Sequence, residues 1–324
     1  MIAIYGDWID KYGVDGFRID TAKHVNPEFW RRFVPAMEAR AKARGIPNFH
    51  IFGEVADDDY DPALLASWTR HAGLPAVLDF AFMHAVIDAV SGKKGTQELA
   101  RLDDDDVLYP GGKKAALQLP TFLGNHDAGR VAMFIAKANP GIDAQELLAR
   151  DELAHAMLLT LRGVPTIYSG DEQGFVGAGG DQLARQDMFP SKTALYNAET
   201  LVGTTATTAQ ANFDGQHPLY KFIANLSAVR RDTPALTEGS TVLRATSETP
   251  GLFAVSRFDP DNGEEVVLAF NTSTKPVTSN VAVEAGSQSF STLAGSDCPD
   301  MASAPGSIAI TLPPLAFSVC EAQP

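Results

Sequence analysis

The chain has 324 residues, of which 45% are hydrophobic, and a formal net charge of −14. That is apolar content for a sizeable core and length for two domains. The acidic balance works against nucleic acid and anionic membrane surfaces as partners, and no apolar run is long enough to span a bilayer.

Residues Ile4 to Tyr12 read as the last turns of a helix, and Gly13 leads into a strand over 14–20 that ends in Gly-Phe-Arg-Ile-Asp. Asn26 as cap and Pro27 at the first position open a helix over Pro27–Arg44. Further strands fall at 49–54, closing on Glu54, at 76–80, and at 119–124, just before Asn-His-Asp ends at Asp127. A helix over Asp143–Arg162 carries Leu147, Leu148, Ala154, Met157, Leu158 and Leu161 close to helical spacing, and a strand at 164–168 follows. Strand alternating with helix implies a parallel sheet. Eight such units close a barrel with its chemistry at the strand C-terminal ends, where all three acids fall; five units leave it open.

Helical Leu219–Arg231 stops before Thr233-Pro234, and a second domain begins near Glu238. Short alternating runs follow at Ser240–Ala245, Leu252–Phe258, Glu265–Asn271, Val277–Val283 and Ile308–Leu312. Pro250-Gly251 and Asp261-Asn262-Gly263 separate strands as turns do in an antiparallel sandwich. The stretch 284–307, rich in Ser, Ala and Gly, reads as a long loop or an irregular strand pair. Cys298 and Cys320 either pair within this domain or stay as buried thiols.

Asp20, Glu54 and Asp127 each close a short apolar run, where a buried strand gives way to a loop. Hydrolysis or transfer of a glycosidic bond needs such a set: one carboxylate attacks the sugar carbon and a second carboxyl protonates the leaving oxygen. A third acid stabilises the positively charged transition state. Arg18 lies two residues before Asp20, so both side chains leave an extended strand on one side. A guanidinium there favours an ionised nucleophile. Glu54 has no basic residue close in sequence, as suits an acid that must stay protonated.

Gly-Phe-Arg-Ile-Asp-Thr-Ala-Lys-His (16–24), Phe-Gly-Glu-Val (52–55) and Phe-Leu-Gly-Asn-His-Asp (122–127) resemble three of the four signature segments of the α-amylase family, glycoside hydrolase family 13. Val164–Gly174 resembles the family's last barrel strand and the loop after it. The resemblance implies Asp20 as nucleophile, Glu54 as general acid/base and Asp127 as transition-state stabiliser, with Arg18 and His126 positioning substrate and nucleophile. Lys23 and His24 match the pair that amylase-like members place on the leaving-group side, which points to starch-type α-1,4 glucans or maltooligosaccharides as substrate. Calcium is also implied, with the backbone carbonyl of His24 as a ligand.

The family's first segment, an Asp followed by an Asn-His pair, has no counterpart, so the chain reads as an N-terminally truncated member. The expected fold is α/β: a partial TIM (β/α)8 barrel of about five units, the first three missing, over 1–237, and a C-terminal antiparallel β-sandwich domain over 238–324. Such a fragment is expected to show little activity alone. The expected function is retaining α-glucan hydrolysis, with transglycosylation at the same site or a non-catalytic carbohydrate-binding remnant as alternatives.

Other conspicuous residues have structural readings. Asp103–Asp106 reads as a solvated, repelling run and Asp57–Asp59 as exposed acids; Trp8, Trp30 and Trp68 read as helix core. Gly177-Ala-Gly-Gly180 lacks the strand–helix context of a phosphate loop. Asp181, Arg185 and Asp187 read equally as a substrate subsite or a structural ion-pair cluster.

Overall fold

The computed structural model describes residues 1–177 and 181–323. Ala178, Gly179 and Gly180 of the glycine-rich run lie outside the described residues. The chain divides into two compact units, Met1–Ala81 with Asp104–Thr121, and Phe82–Asp103 with Phe122–Pro324.

In the first unit, helix Ile2–Asp7 widens into a π-type turn at Trp8–Tyr12 and stops at Gly13, whose φ of 66° is left-handed. Its inner face sets Tyr5 edge-on against Phe17 and Phe33, at centroid distances of 5.5 and 5.4 Å. Strand β1 (Gly16–Ile19) follows, then helix Pro27–Arg44 and strand β2 (His50–Gly53). The helix buries Trp30, Phe33, Val34, Met37 and Ala41, a stripe at helical spacing. Its start differs from the expected cap: the Asn26 side chain makes no capping bond, and Asn26 O accepts from Phe29 N instead. Strands β1 and β2 pair in parallel, Gly16 opposite His50 through Ile19 opposite Gly53. Gly16 is required by close approach, because a Cβ there would meet His50 O at 2.1 Å. Strand β3 (Ala76–Val77) pairs with β2, also in parallel.

Strands β4 (Pro120–Phe122) and β5 (Val164–Thr166) form a sheet of their own, so the five barrel-type strands fall into two sheets rather than one continuous sheet. The break falls at β3, which is short because the chain turns into helix Phe80–Val90 almost at once. Asp79 N still donates to Pro120 O at 2.9 Å.

In the second unit, Asp143 caps helix Ala144–Thr160 by accepting from Gln145 N and Glu146 N. The other end of that helix is satisfied from outside it: buried Arg230, on helix Pro218–Asp232, donates to Leu159 O, Leu161 O and Gly163 O. Carbonyls at a helix C-terminus lack partners of their own, so this guanidinium supplies the missing donors.

Seven strands follow: β6 (Ser240–Ala245), β7 (Leu252–Phe258), β8 (Glu265–Asn271), β9 (Val277–Ala282), β10 (Ser289–Gly295), β11 (Ser307–Leu312) and β12 (Phe317–Gln323). Five make an antiparallel sheet in the order β10–β12–β8–β7–β6, and β11 pairs with β9. Leu252, Val267, Val281, Ile308, Ile310 and Phe290 share one core, which joins the two sheets as a sandwich. Cys298 and Cys320 are bonded to each other inside that core, with Cα atoms 5.7 Å apart. Strand β10 lies within the stretch read as a loop or irregular pair, and β12 has no counterpart in the sequence reading.

Two surface readings are corrected. Asp103 and Asp106 are buried, and Asp105 accepts from Tyr60 Oη at 2.8 Å, so the acidic run is not a solvated face. Trp30 is buried and donates to Ala22 O, but Trp8 is 51% exposed, against its reading as helix core.

Candidate active site

The parallel ladder continues one residue past the strands, with Glu54 N donating to Ile19 O at 2.8 Å, and this sets Glu54 beside Asp20 at the C-terminal ends of β1 and β2. The chain then reverses sharply. Thr21 takes a left-handed conformation, φ 48°, and its N–H donates to Glu54 Oε2 at 3.0 Å. A tight turn over Ala22–His24 follows, anchored by Trp30 Nε1 on Ala22 O and by Lys23 Nζ on Ala56 O.

Arg18 joins the two acids. Its Nη1 bonds Asp20 Oδ1 and its Nη2 bonds Glu54 Oε1 at 2.8 Å. Glu54 is buried, whereas the Asp20 side chain is 66% exposed. Glu54 has no basic residue close in sequence, and it is the fold that brings Arg18 onto it. Arg18 is far from Glu54 in sequence, but register places Arg18 opposite Phe52, two residues before the acid. His24 lies exposed at the end of its turn.

His126 and Asp127 belong to the second unit, on a loop built by Asn125. Its backbone exchanges bonds with Gly129, and its Oδ1 accepts from Asp127 N at 2.9 Å and Ala128 N at 2.7 Å. A Cβ on Gly124 would meet Gly129 O at 2.3 Å, so the loop closes this tightly only on glycine. Asp127 stands at the tip. His126 Nε2 is 3.1 Å from its Oδ2, and Arg185 Nη2 is 2.8 Å from its Oδ1. Arg185 also pairs with Asp181 at 2.7 Å, and Asp187 instead accepts from Phe189 N.

Behind this loop lies fully buried Arg130, stacked on the Tyr168 ring at 4.2 Å. It donates to Asp171 Oδ1 at 2.6 Å, Gln186 Oε1 at 3.1 Å and Ser169 O at 2.9 Å, tying the Asp127 loop to the segment after β5. Burial pushes the Asp171 carboxyl up to about 6, against the pull of Arg130 and His155. His155 is pushed down by burial, but the Asp151 carboxylate at 2.9 Å outweighs this and leaves its pKa raised.

Arg130 and Asp171 were not singled out in the sequence. Arg130 comes three residues after Asp127 and nothing local marks it as buried. For Arg185 the spacing to Asp181 hinted at an ion pair but not at its reach to Asp127.

The backbone carbonyl of His24 is the one calcium ligand the sequence names. Among the described residues no group of three or more His, Cys, Asp or Glu gathers beside it.

Residues 1–239 match the α-amylase catalytic domain. The chain is 38% identical over 322 residues to an α-amylase of Streptomyces lividans, covering 99% of this chain and 35% of that protein. It is 29% identical over 242 residues to a cyclomaltodextrin glucanotransferase of Paenibacillus macerans, covering 73% of this chain and 28% of the relative. The chain thus spans about a third of these relatives' length. An α-amylase structure from Geobacillus thermoleovorans, complexed with acarbose, superposes with a TM-score of 0.76 at 18% identity, over 100% of this chain and 63% of that one, and so shares its fold. With a part-barrel, an antiparallel β-domain and a catalytic-domain match over most of its length, the chain belongs to the α-amylase family of glycoside hydrolases.

Proposed function

We propose that this chain carries the reacting groups of a retaining α-glucan hydrolase acting on α-1,4 bonds. Asp20 attacks the anomeric carbon and forms a glycosyl ester, while Glu54 gives its proton to the departing oxygen. Glu54 then takes a proton from water, which attacks the ester and releases the sugar with its original configuration. By the family resemblance Asp127 is the acid that favours the cationic transition state, and within its own unit His126 and Arg185 orient its carboxylate. Arg18 holds both reacting carboxyls by one planar group.

The observation that carries this reading is the shared guanidinium. Two carboxyl groups within hydrogen-bond reach of one Arg18, one exposed and one buried, provide the paired acids of glycoside cleavage. The expected carboxyl separation for retention is about 5–5.5 Å. A sugar hydroxyl in place of water makes the same intermediate a transglycosylation donor, and the match to a glucanotransferase supports keeping that reading second.

The test is hydrolysis of maltooligosaccharides followed by NMR of the newly released anomer, in wild type, Asp20→Asn and Glu54→Gln. Slow release of the α-anomer is expected from this part-barrel chain, with that residual turnover reduced a further roughly 10²–10⁴-fold in Glu54→Gln and at least as far in Asp20→Asn. The β-anomer as first product would contradict retention.

A further inference from the structure

Beyond the acids, the segment after β5 carries an exposed aromatic pair that the chemistry above does not use. Phe189 is 65% exposed and Phe213 is 59% exposed, and their rings meet edge to face at 5.2 Å with an interplanar angle of 67°. Side chains of this size normally leave water, so two together on the surface call for an occupant.

Their backbone is fixed. Asn212 N donates to Met188 O at 2.8 Å, so the residues before each ring are bonded to one another. Buried Gln173 grips the residue after Phe213, with Nε2 on Asp214 O at 3.1 Å and Oε1 accepting from Asp214 N at 2.9 Å. On the other side, Asp187 Oδ1 accepts from Phe189 N at 2.8 Å. A ring held on rigid backbone loses little entropy when a ligand settles on it.

We propose that Phe189 and Phe213 form a stacking platform for a glucosyl unit of an α-glucan chain. The perpendicular rings offer one face and one edge, and the C–H face of a pyranose lies against an aromatic face. Next to the rings in sequence, exposed Asp187 and Asp214 bond Phe189 N and Gln216 N through Oδ1 and leave Oδ2 to accept from sugar hydroxyls, polar groups an apolar protein partner would not serve. The chain segment that Phe189 shares with Arg185, the partner of Asp127, argues for a glucan rather than a second copy of this chain. Phe189 lies four residues beyond Arg185, which bonds Asp127 at 2.8 Å, so one chain segment serves both the stabilising acid and the platform. This inference rests on the α-glucan reading and adds a subsite to it.

The test is native gel retardation in soluble starch, with calorimetric titration of maltoheptaose, for wild type, Phe189→Ala, Phe213→Ala and the double variant. Light scattering on the same samples reads self-association. Both rings are exposed, and an unchanged thermal melt verifies folding. Retardation of the wild type with affinity roughly tenfold weaker in the double variant is expected. A wild type that binds starch as tightly as the double variant overturns the platform and leaves the α-glucan reading standing. A wild type that binds no glucan overturns both. Loss of dimers in the double variant at unchanged glucan affinity assigns the pair to self-association and overturns the platform.

Discussion

At the scale of single residues, Arg18 does the most. Its fork places Nη1 on Asp20 and Nη2 on Glu54, a geometry an ammonium cannot copy. Arg18→Lys keeps the charge and loses the bridge. Turnover of that variant is expected to fall about a hundredfold, the cost of misplacing reacting groups by an ångström or so. A kcat unchanged within a factor of about two would show that the bridge is not needed for alignment. The buried pair behind Asp127 makes a second claim, about pH. The Asp171 carboxyl is raised from 3.8 to about 6, so the folded state holds its proton more tightly than the unfolded chain. That contribution is fully present below the unfolded value and is lost as pH rises through about 6. His155, raised above 6.5, acts in the same direction in a higher window. The Asp171 contribution to stability, read by urea unfolding, should therefore decline between pH 4 and 6, and Asp171→Asn should flatten that slope. An identical slope in the variant would remove Asp171 from the account.

At the scale of elements, the disulfide gives a direct prediction. Cys298 and Cys320 close a loop of sequence separation 22 inside the sandwich core, and opening it should cost about 3 kcal/mol. Urea unfolding with and without reductant measures it, and no change would place the stability of this domain elsewhere. Local pattern revealed much of the architecture. Pro27–Arg44 is legible from Pro27 and the apolar stripe, and Ser240–Ala245, Leu252–Phe258 and Glu265–Asn271 from alternation and turns. Strand β10 was hidden because Ser289–Gly295 is small and polar and owes its strand form to pairing with β12. Asp20 beside Glu54 was legible as two motifs, but the Arg18 link between them depends on register across strands distant in sequence. The burial of Asp103 and Asp106 was not legible either, since four adjacent acids give no sign of which point inward.

For the molecule as a whole, β1 ends its sheet with one edge unpaired among the described residues. The helix before it exposes Met1, Ile4, Trp8 and Tyr12, between 51% and 69% accessible. An open parallel edge beside an apolar stripe favours association. Sedimentation should show concentration-dependent self-association that Ile4→Glu with Trp8→Glu weakens; a monomer at all concentrations would contradict this. The central claim, that Asp20 is the nucleophile and Glu54 the acid, is tested most directly by trapping the glycosyl ester. In a ring-fluorinated α-maltosyl fluoride the fluoride leaves with little acid assistance, and the ring fluorine destabilises the cationic transition state of hydrolysis, so the ester forms and then persists. Peptide mass mapping should find the sugar on Asp20 in wild type and in Glu54→Gln, and on no residue in Asp20→Asn. A label on Glu54 or Asp127, or an unchanged label in Asp20→Asn, would contradict the assignment.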